Sequence, residues 1–191
     1  MFEVLLNEFY TRDPAQVAKD LLGKRLTRKL ENNFLGGIIV ETEAYYGLND
    51  PASHAYHGIK DYNRLMWEAP GRAFIYNVHR YWMFNIVAHK PNKIGAVLIR
   101  AIEPTKGIEV MHTNRSVINV SDLTNGPGKL TTALKIDKSL NGIAVTSDES
   151  EIIIANNKME FEIGSSYRMG VKKDLERKLR FYIRGNKFVS R

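Results

Sequence analysis

Apolar positions along the chain fall into separate runs with different periods. After Asp13-Pro14, the residues Val17, Ala18, Leu21 and Leu22 recur at helical spacing and Gly23 follows. This predicts a capped helix over residues 14–22, with proline in its first position and glycine past its end. From Leu26 the period shortens to two. Gly36-Gly37-Ile38-Ile39-Val40-Glu41-Thr42-Glu43 predicts a strand rich in β-branched residues, with two carboxylates where a buried strand surfaces. Residues 46–71 hold Gly47, Asn49, Asp50, Pro51, Gly58, Pro70 and Gly71 with little periodicity, and read as a long ordered loop of the kind that carries function. Two apolar stretches follow, 73–87 and 95–102, with a turn at 89–93 between them, and predict a strand pair. Gly126-Pro127 introduces a short helix over 129–134, and 152–154 and 179–185 are strand-like. No internal repeat, low-complexity tract or linker interrupts these elements.

A chain of 191 residues, 43% of them hydrophobic, is long enough for one sizeable core, and its length asks for no second domain. Lys and Arg outnumber Asp and Glu by 28 to 21, a formal charge of +7 that favours a polyanionic partner without requiring one. The absence of cysteine excludes a disulfide framework, a thiolate nucleophile and a Cys-based zinc site. Acidic residues stand early in Met1-Phe2-Glu3-Val4-Leu5-Leu6-Asn7-Glu8, which does not read as a signal peptide. No segment approaches the roughly 18 uninterrupted apolar residues of a membrane-spanning helix. The expected location is cytoplasmic, in association with the nucleoid.

Glu41 and Glu43 lie two apart on the expected strand, so they share a face with Cβ atoms roughly 6.5 to 7 Å apart. Spacing alone is compatible with a solvated strand end, with partners for arginines, or with two groups lining one cleft. The neighbourhood adds weight to the cleft. Tyr45, Tyr46, His54, Tyr56, His57, Tyr62, Trp67, Phe74, Tyr76 and His79 follow closely, with Arg64, Arg72 and Arg80 interleaved. Such a mixture suits base stacking and phosphate contact, although any one aromatic, such as Trp82 or Phe84, is as well explained by core packing. His54 and His57 lack a third metal ligand at suitable spacing. The amides that open the helix after Gly126-Pro127 read as an ordinary helix start or as a phosphate contact. The chain has no Ser-His-Asp signature, Gly-rich phosphate loop or zinc deaminase motif.

Several blocks occur in order along nearly the whole chain. They are Val40-Glu41-Thr42-Glu43-Ala44-Tyr45, Ala52-Ser53-His54, Pro70-Gly71 with Ile75-Tyr76, Asn85-Ile86 and Val97-Leu98-Ile99-Arg100-Ala101-Ile102-Glu103-Pro104. Gly126-Pro127-Gly128-Lys129-Leu130 and Leu179-Arg180-Phe181-Tyr182-Ile183-Arg184-Gly185 complete the set. The chain thereby resembles the alkyladenine (3-methyladenine, or methylpurine) DNA glycosylase family. The resemblance implies a single α+β domain over residues 1–191, a curved antiparallel sheet flanked by helices, acting as a monomer on double-stranded DNA without metal or cofactor.

It also implies roles. Glu43, rather than Glu41, is the general base for the attacking water. Tyr45 and Tyr76 hold the flipped base between them with His54 against it, Asn85 crowds the amino group of normal guanine, and Leu98 belongs to the pocket wall. Arg100 holds the backbone of the flipped nucleotide. Family members insert an aromatic side chain, usually tyrosine, from a β-hairpin into the vacated stack. The aligned residue here is His79, with Arg80 next to it placed to grip phosphate, and the segment His79-Arg80-Tyr81-Trp82 is one residue shorter than the family pattern. The start of the chain close to the domain, without a long basic extension, fits a bacterial member.

The expected activity is monofunctional hydrolysis of the N-glycosidic bond of alkylated or deaminated purines, the class of 3-methyladenine, 7-methylguanine, hypoxanthine and ethenoadenine. No lysine stands at the matched pocket positions, so no Schiff base is expected. Two other classes are compatible with the carboxylate pair: a sugar glycoside hydrolase, which the +7 charge disfavours, and a module that binds damaged DNA without cutting the bond.

Overall fold

The computed structural model describes residues 3–190; Met1, Phe2 and Arg191 lie outside the described residues, and with them the first two positions of the segment read above for a leader. Val4 forms a β-bridge to Ala155, so the described N-terminal segment is paired to the sheet.

The fold is organised by one long strand. Strand β1 (Arg25–Leu30) and strand β2 (Asn33–Tyr46) form a hairpin, followed by β3 (Ala73–Val78), β4 (Tyr81–Val87), β5 (Gly95–Lys106), β6 (Ile152–Ala155), β7 (Ile163–Ser166) and β8 (Arg180–Ile183). All pairings are antiparallel, in the order β3-β4-β5-β2-β1-β6, curled into a half-barrel. β2 lies against β5 along most of its length. On its other edge it changes partner, from β1 up to Ile38 to β8 at Glu41–Glu43, and β8 carries β7. The expected α+β class with a curved antiparallel sheet is therefore what the chain adopts.

Helix α1 (Asn7–Tyr10) leads into α2 (Pro14–Leu21), where the Asp13 carboxylate accepts from the Ala15 and Gln16 amides and Pro14 occupies the first turn. Val17, Ala18 and Leu21 are fully buried against the sheet, and the Thr42 hydroxyl donates to the Ala18 carbonyl at 2.8 Å. Helices α3 (Ile108–Arg115) and α4 (Pro127–Ala133) contribute Met111, Leu130 and Ala133 to the same core.

The stretch 73–87 departs from its expected form. It is not one strand but two, β3 and β4, folded back through a two-residue turn at His79-Arg80, and it is β4 that pairs with β5. His79 has φ of 55° there, a conformation that turns usually assign to Gly, Asn or Asp, so the residue types carry no turn signal. α3 was also silent in the sequence, because its apolar face is narrow and Gly107 begins it without a side-chain cap.

The long loop is ordered by its own contacts. Buried Asn63 donates from Nδ2 to the His54 and Gly58 carbonyls and accepts from the Lys60 amide, while Asp50 accepts from the amides of Tyr46 and Ala52. Ala55 and Met66 from this loop pack on Phe74, Val87 and Ala96 in a second, smaller apolar cluster.

Candidate active site

The two carboxylates are not at a surfacing strand end. β2 runs on to Tyr46, and Glu41 and Glu43 are both completely buried. The register between β2 and β5 slips on either side of Glu41: Ile39 faces Ile102, Glu41 faces Ala101, and Thr42 faces Ile99. Val40 and Arg100 are thus the residues left without a partner, and such bulges re-aim side chains next to functional sites. Arg100 enters between the carboxylates, with Nε 2.7 Å from Glu41 Oε1 and Nη1 3.3 Å from Glu43 Oε2.

Glu41 is saturated. Oε1 accepts from Arg100 Nε, Arg180 Nε and the Ser190 hydroxyl at 2.7, 2.7 and 2.8 Å, and Oε2 accepts from the Ser190 amide at 2.7 Å. Glu43 has fewer partners. The Tyr45 hydroxyl donates to Oε2 and the Met169 amide to Oε1, each at 2.8 Å. Burial raises the Glu43 pKa above the ordinary carboxylate value and prevails over the opposing pull of Arg100, the Met169 amide and Tyr45. Burial likewise opposes the charge on Arg100, but Glu43 and Glu41 outweigh it and raise its pKa.

In front of Glu43 lies a cavity of about 790 Å³. Tyr45, Arg100 and Met169, the three groups that hold the Glu43 carboxylate, all line it, so Glu43 sits immediately behind its wall. His54, Tyr76 and Leu98 line it too. His54 lies 4.1 Å from the Tyr76 ring centre, and its Nδ1 is 3.2 Å from the Tyr62 hydroxyl. Burial lowers the His54 pKa, so its ring is neutral at physiological pH. Burial also raises both phenols, Tyr45 and Tyr76, keeping them protonated as hydrogen-bond donors.

Of the residues singled out from sequence, Glu43, Tyr45, His54, Tyr76, Leu98 and Arg100 are brought together. Asn85 is not in the cavity lining. It is buried beneath it on β4, where Nδ2 donates to the Phe74 and Met83 carbonyls. His79 and Arg80 form the exposed tip of the β3–β4 hairpin, beside Val78 at the cavity rim. His57 also lines the cavity, and among the described residues no three histidine or carboxylate side chains converge as a metal-binding group.

Sequence reading missed the segment 168–173. Arg168 is buried, with Nη1 and Nη2 at 2.7 and 2.6 Å from the two oxygens of Asp50 and Nε at 2.9 Å from Asp174. Its guanidinium lies 4.5 Å from the Tyr45 ring centre. This anchor ties the long loop to the strip Met169, Gly170, Val171, Lys172 and Lys173, all of which line the cavity. Two lysines therefore line the cavity outside the positions matched to the family, and both are exposed. An arginine and an aspartate 118 residues apart leave no local pattern from which to find them.

The profile of the family described as methylpurine-DNA glycosylase (MPG) matches residues 8–187. The chain belongs to that family. Its class is accordingly that of a DNA glycosylase, a hydrolase acting on N-glycosyl bonds. Relatives include proteins of Mesorhizobium japonicum, 41% identical with 93% of this chain and 86% of the relative covered, and of Carboxydothermus hydrogenoformans, 40% identical with 98% and 99% covered. A third, from Aeropyrum pernix, is 39% identical with 100% and 95% covered. Each bears the name "Putative 3-methyladenine DNA glycosylase". Family membership runs through the whole site, since every residue of the Glu43 and Glu41 surroundings except Ser190 falls within the matched span. Among the described residues no helix is long and apolar enough to cross a membrane.

Proposed function

We propose that this chain is a monofunctional glycosylase that takes an alkylated or deaminated purine, extruded from duplex DNA, into the cavity and cleaves its N-glycosidic bond with water activated by Glu43. The observation that carries the reading is a buried carboxylate with a raised pKa, set directly behind the wall of an aromatic cavity. A base inside the stack is out of reach, and its extrusion costs a few kcal/mol, least for damaged pairs. A purine methylated at N3 or N7 carries positive charge, which the faces of Tyr45 and Tyr76 attract.

As the C1′–N bond breaks, its electron pair leaves with the purine and positive charge develops on the sugar. Glu43 stabilises that charge and takes the proton of the water that bonds to C1′. Its raised pKa brings it closer to the working pH, which improves a general base. Arg100 has Nε committed to Glu41 and Nη2 to Ser190. Its Nη1 edge, at the cavity wall, favours the ionised form of Glu43 and can meet the sugar-phosphate of the flipped nucleotide. Hypoxanthine leaves uncharged and must gain a proton, so its excision demands more of the site. Asn85 acts from beneath, tying β4 to β3 through the Phe74 carbonyl.

The test is single-turnover excision from a labelled duplex holding one hypoxanthine, beside alkylated DNA and an undamaged control, with Glu43→Gln in parallel. Release lost in the variant while damaged-duplex binding persists supports the reading; no release by the unaltered protein would leave a damaged-DNA-binding module. Borohydride trapping addresses Lys172 and Lys173. A covalent adduct with DNA would overturn the monofunctional assignment.

A further inference from the structure

On the far side of the β3–β4 hairpin from the base cavity, a groove of about 330 Å³ runs between the start of β4 and the end of α4. Arg80 and Lys135 line it together with Trp82 and Thr132. Both cations are exposed, and among the described residues neither side chain forms an ion pair or hydrogen bond. Arg12, Arg28, Arg64, Arg100, Arg168 and Arg180 each hold a carboxylate at 2.9 Å or less, whereas Arg80 holds none among the described residues.

Asn114, Thr131 and Thr132 of the groove are already used. Asn114 Nδ2 donates to the Ala133 carbonyl and the Thr132 hydroxyl to that of Gly128, which fixes the walls and leaves the two cations to meet a ligand. The one acid there, Asp137, accepts from the Ser139 amide and hydroxyl at 2.8 and 2.6 Å.

Backbone conformation points to the same place. Lys135 follows α4 with φ of 47°, the left-handed position at a helix end where glycine is the unstrained choice, and the Ile136 amide closes back on the Thr131 carbonyl at 2.8 Å. His79, beside Arg80, has φ of 55°. Lys135 in the groove wall is thus kept in a glycine conformation, as is His79 next to Arg80 in the chain. The groove adjoins the cavity through shared elements, since Val78 of the hairpin and Pro127 of α4 line the latter.

We propose that this groove holds a backbone phosphate of duplex DNA between Arg80 and Lys135, outside the nucleotide whose base enters the cavity. The inference rests on the DNA-binding part of the function proposed above. A phosphodiester offers two unbridged anionic oxygens to two point charges that lack partners, and contact with it is independent of sequence and of damage.

Lys135→Gly separates the role from the fold, because it removes the charge while relieving the strained φ. Its affinity for an undamaged duplex, followed by anisotropy against salt, is expected to fall about fivefold, with the slope of log Kd against log salt lower by about 0.9. Thermal stability is expected to hold or rise. Arg80→Gln gives the same loss, and Lys158→Gln, on another face of the molecule, gives none. Wild-type binding with a salt slope that Lys135→Gly and Arg80→Gln both leave unchanged overturns the groove alone, as does an equal fall in Lys158→Gln. Wild-type protein that binds no duplex overturns the DNA reading beneath it.

Discussion

Glu41 and Glu43 are the same side chain, two positions apart on one strand, equally buried and reaching the same arginine, yet their surroundings assign them opposite work. Around Glu41, two arginines and both polar groups of Ser190 converge on the carboxylate, and nothing among those bonds is left to exchange. Around Glu43 the donors are a phenol, an amide and the more distant edge of Arg100, all three belonging to the wall of a cavity. A charge that is fully met serves the fold. A charge that is partly met, with a pKa lifted by burial, is available for chemistry. Environment decides between two identical carboxylates, and the slipped register at Val40 and Arg100 is what gives them different environments.

The comparison is broken most severely by exchanging the effects of the two neutral variants. Glu43→Gln is expected to slow single-turnover excision about a thousandfold, the span of a lost general base, with damaged-duplex affinity changed little. Its melting temperature should stay level or rise, since burial already disfavours the charge. Glu41→Gln is expected to do the reverse, costing about 3 kcal/mol in urea unfolding because Arg180 and Arg100 lose the anion between them. Similar stability losses in both variants would erase the distinction drawn here.

A finer cut is Tyr45→Phe, which keeps the ring and removes the hydroxyl donated to Glu43. A donor to the ionised form lowers the pKa, so its loss raises Glu43 further. The rate is expected to fall more on the acid side than on the alkaline side of the profile, a split that reduced stacking alone would not produce. Smallest is His79→Tyr at the hairpin tip, expected to tighten damaged-duplex binding a few-fold in a titration. Unchanged affinity would move the wedge to Arg80 or Tyr81.

Much of this arrangement was legible in the chain, and the rest was hidden for physical reasons. The helix after Asp13-Pro14 and the apolar strands follow from periodicity, because each buries a continuous face. The α+β half-barrel came with the family resemblance, as did the grouping of Tyr45, His54, Tyr76 and Leu98 with Glu43 and Arg100. The hairpin at His79-Arg80 came only with the resemblance and was not legible from the residues, which give no turn signal there. Nor was the depth of Glu41 and Glu43. Charged residues on a strand read as surface; Arg100, Arg180 and Ser190, brought from 59 to 149 positions away, make the burial of Glu41 tolerable, and Arg100, Tyr45 and Met169 that of Glu43. Arg168 and the strip behind it escaped for the same reason, with its partner Asp50 lying 118 positions off.

The central claim is that Glu43 is the group whose ionisation permits water attack, and the pH dependence of single-turnover excision from a duplex holding one 7-methylguanine tests it most directly. A cationic base needs no proton to leave, so the rate should be governed by the base alone. The account predicts one acid limb, set above the usual glutamate value of about 4.3, with the rate falling as pH drops through it. The limb should vanish in Glu43→Gln together with most of the rate. A profile flat across the acid range, or an acid limb that survives in Glu43→Gln, would contradict it.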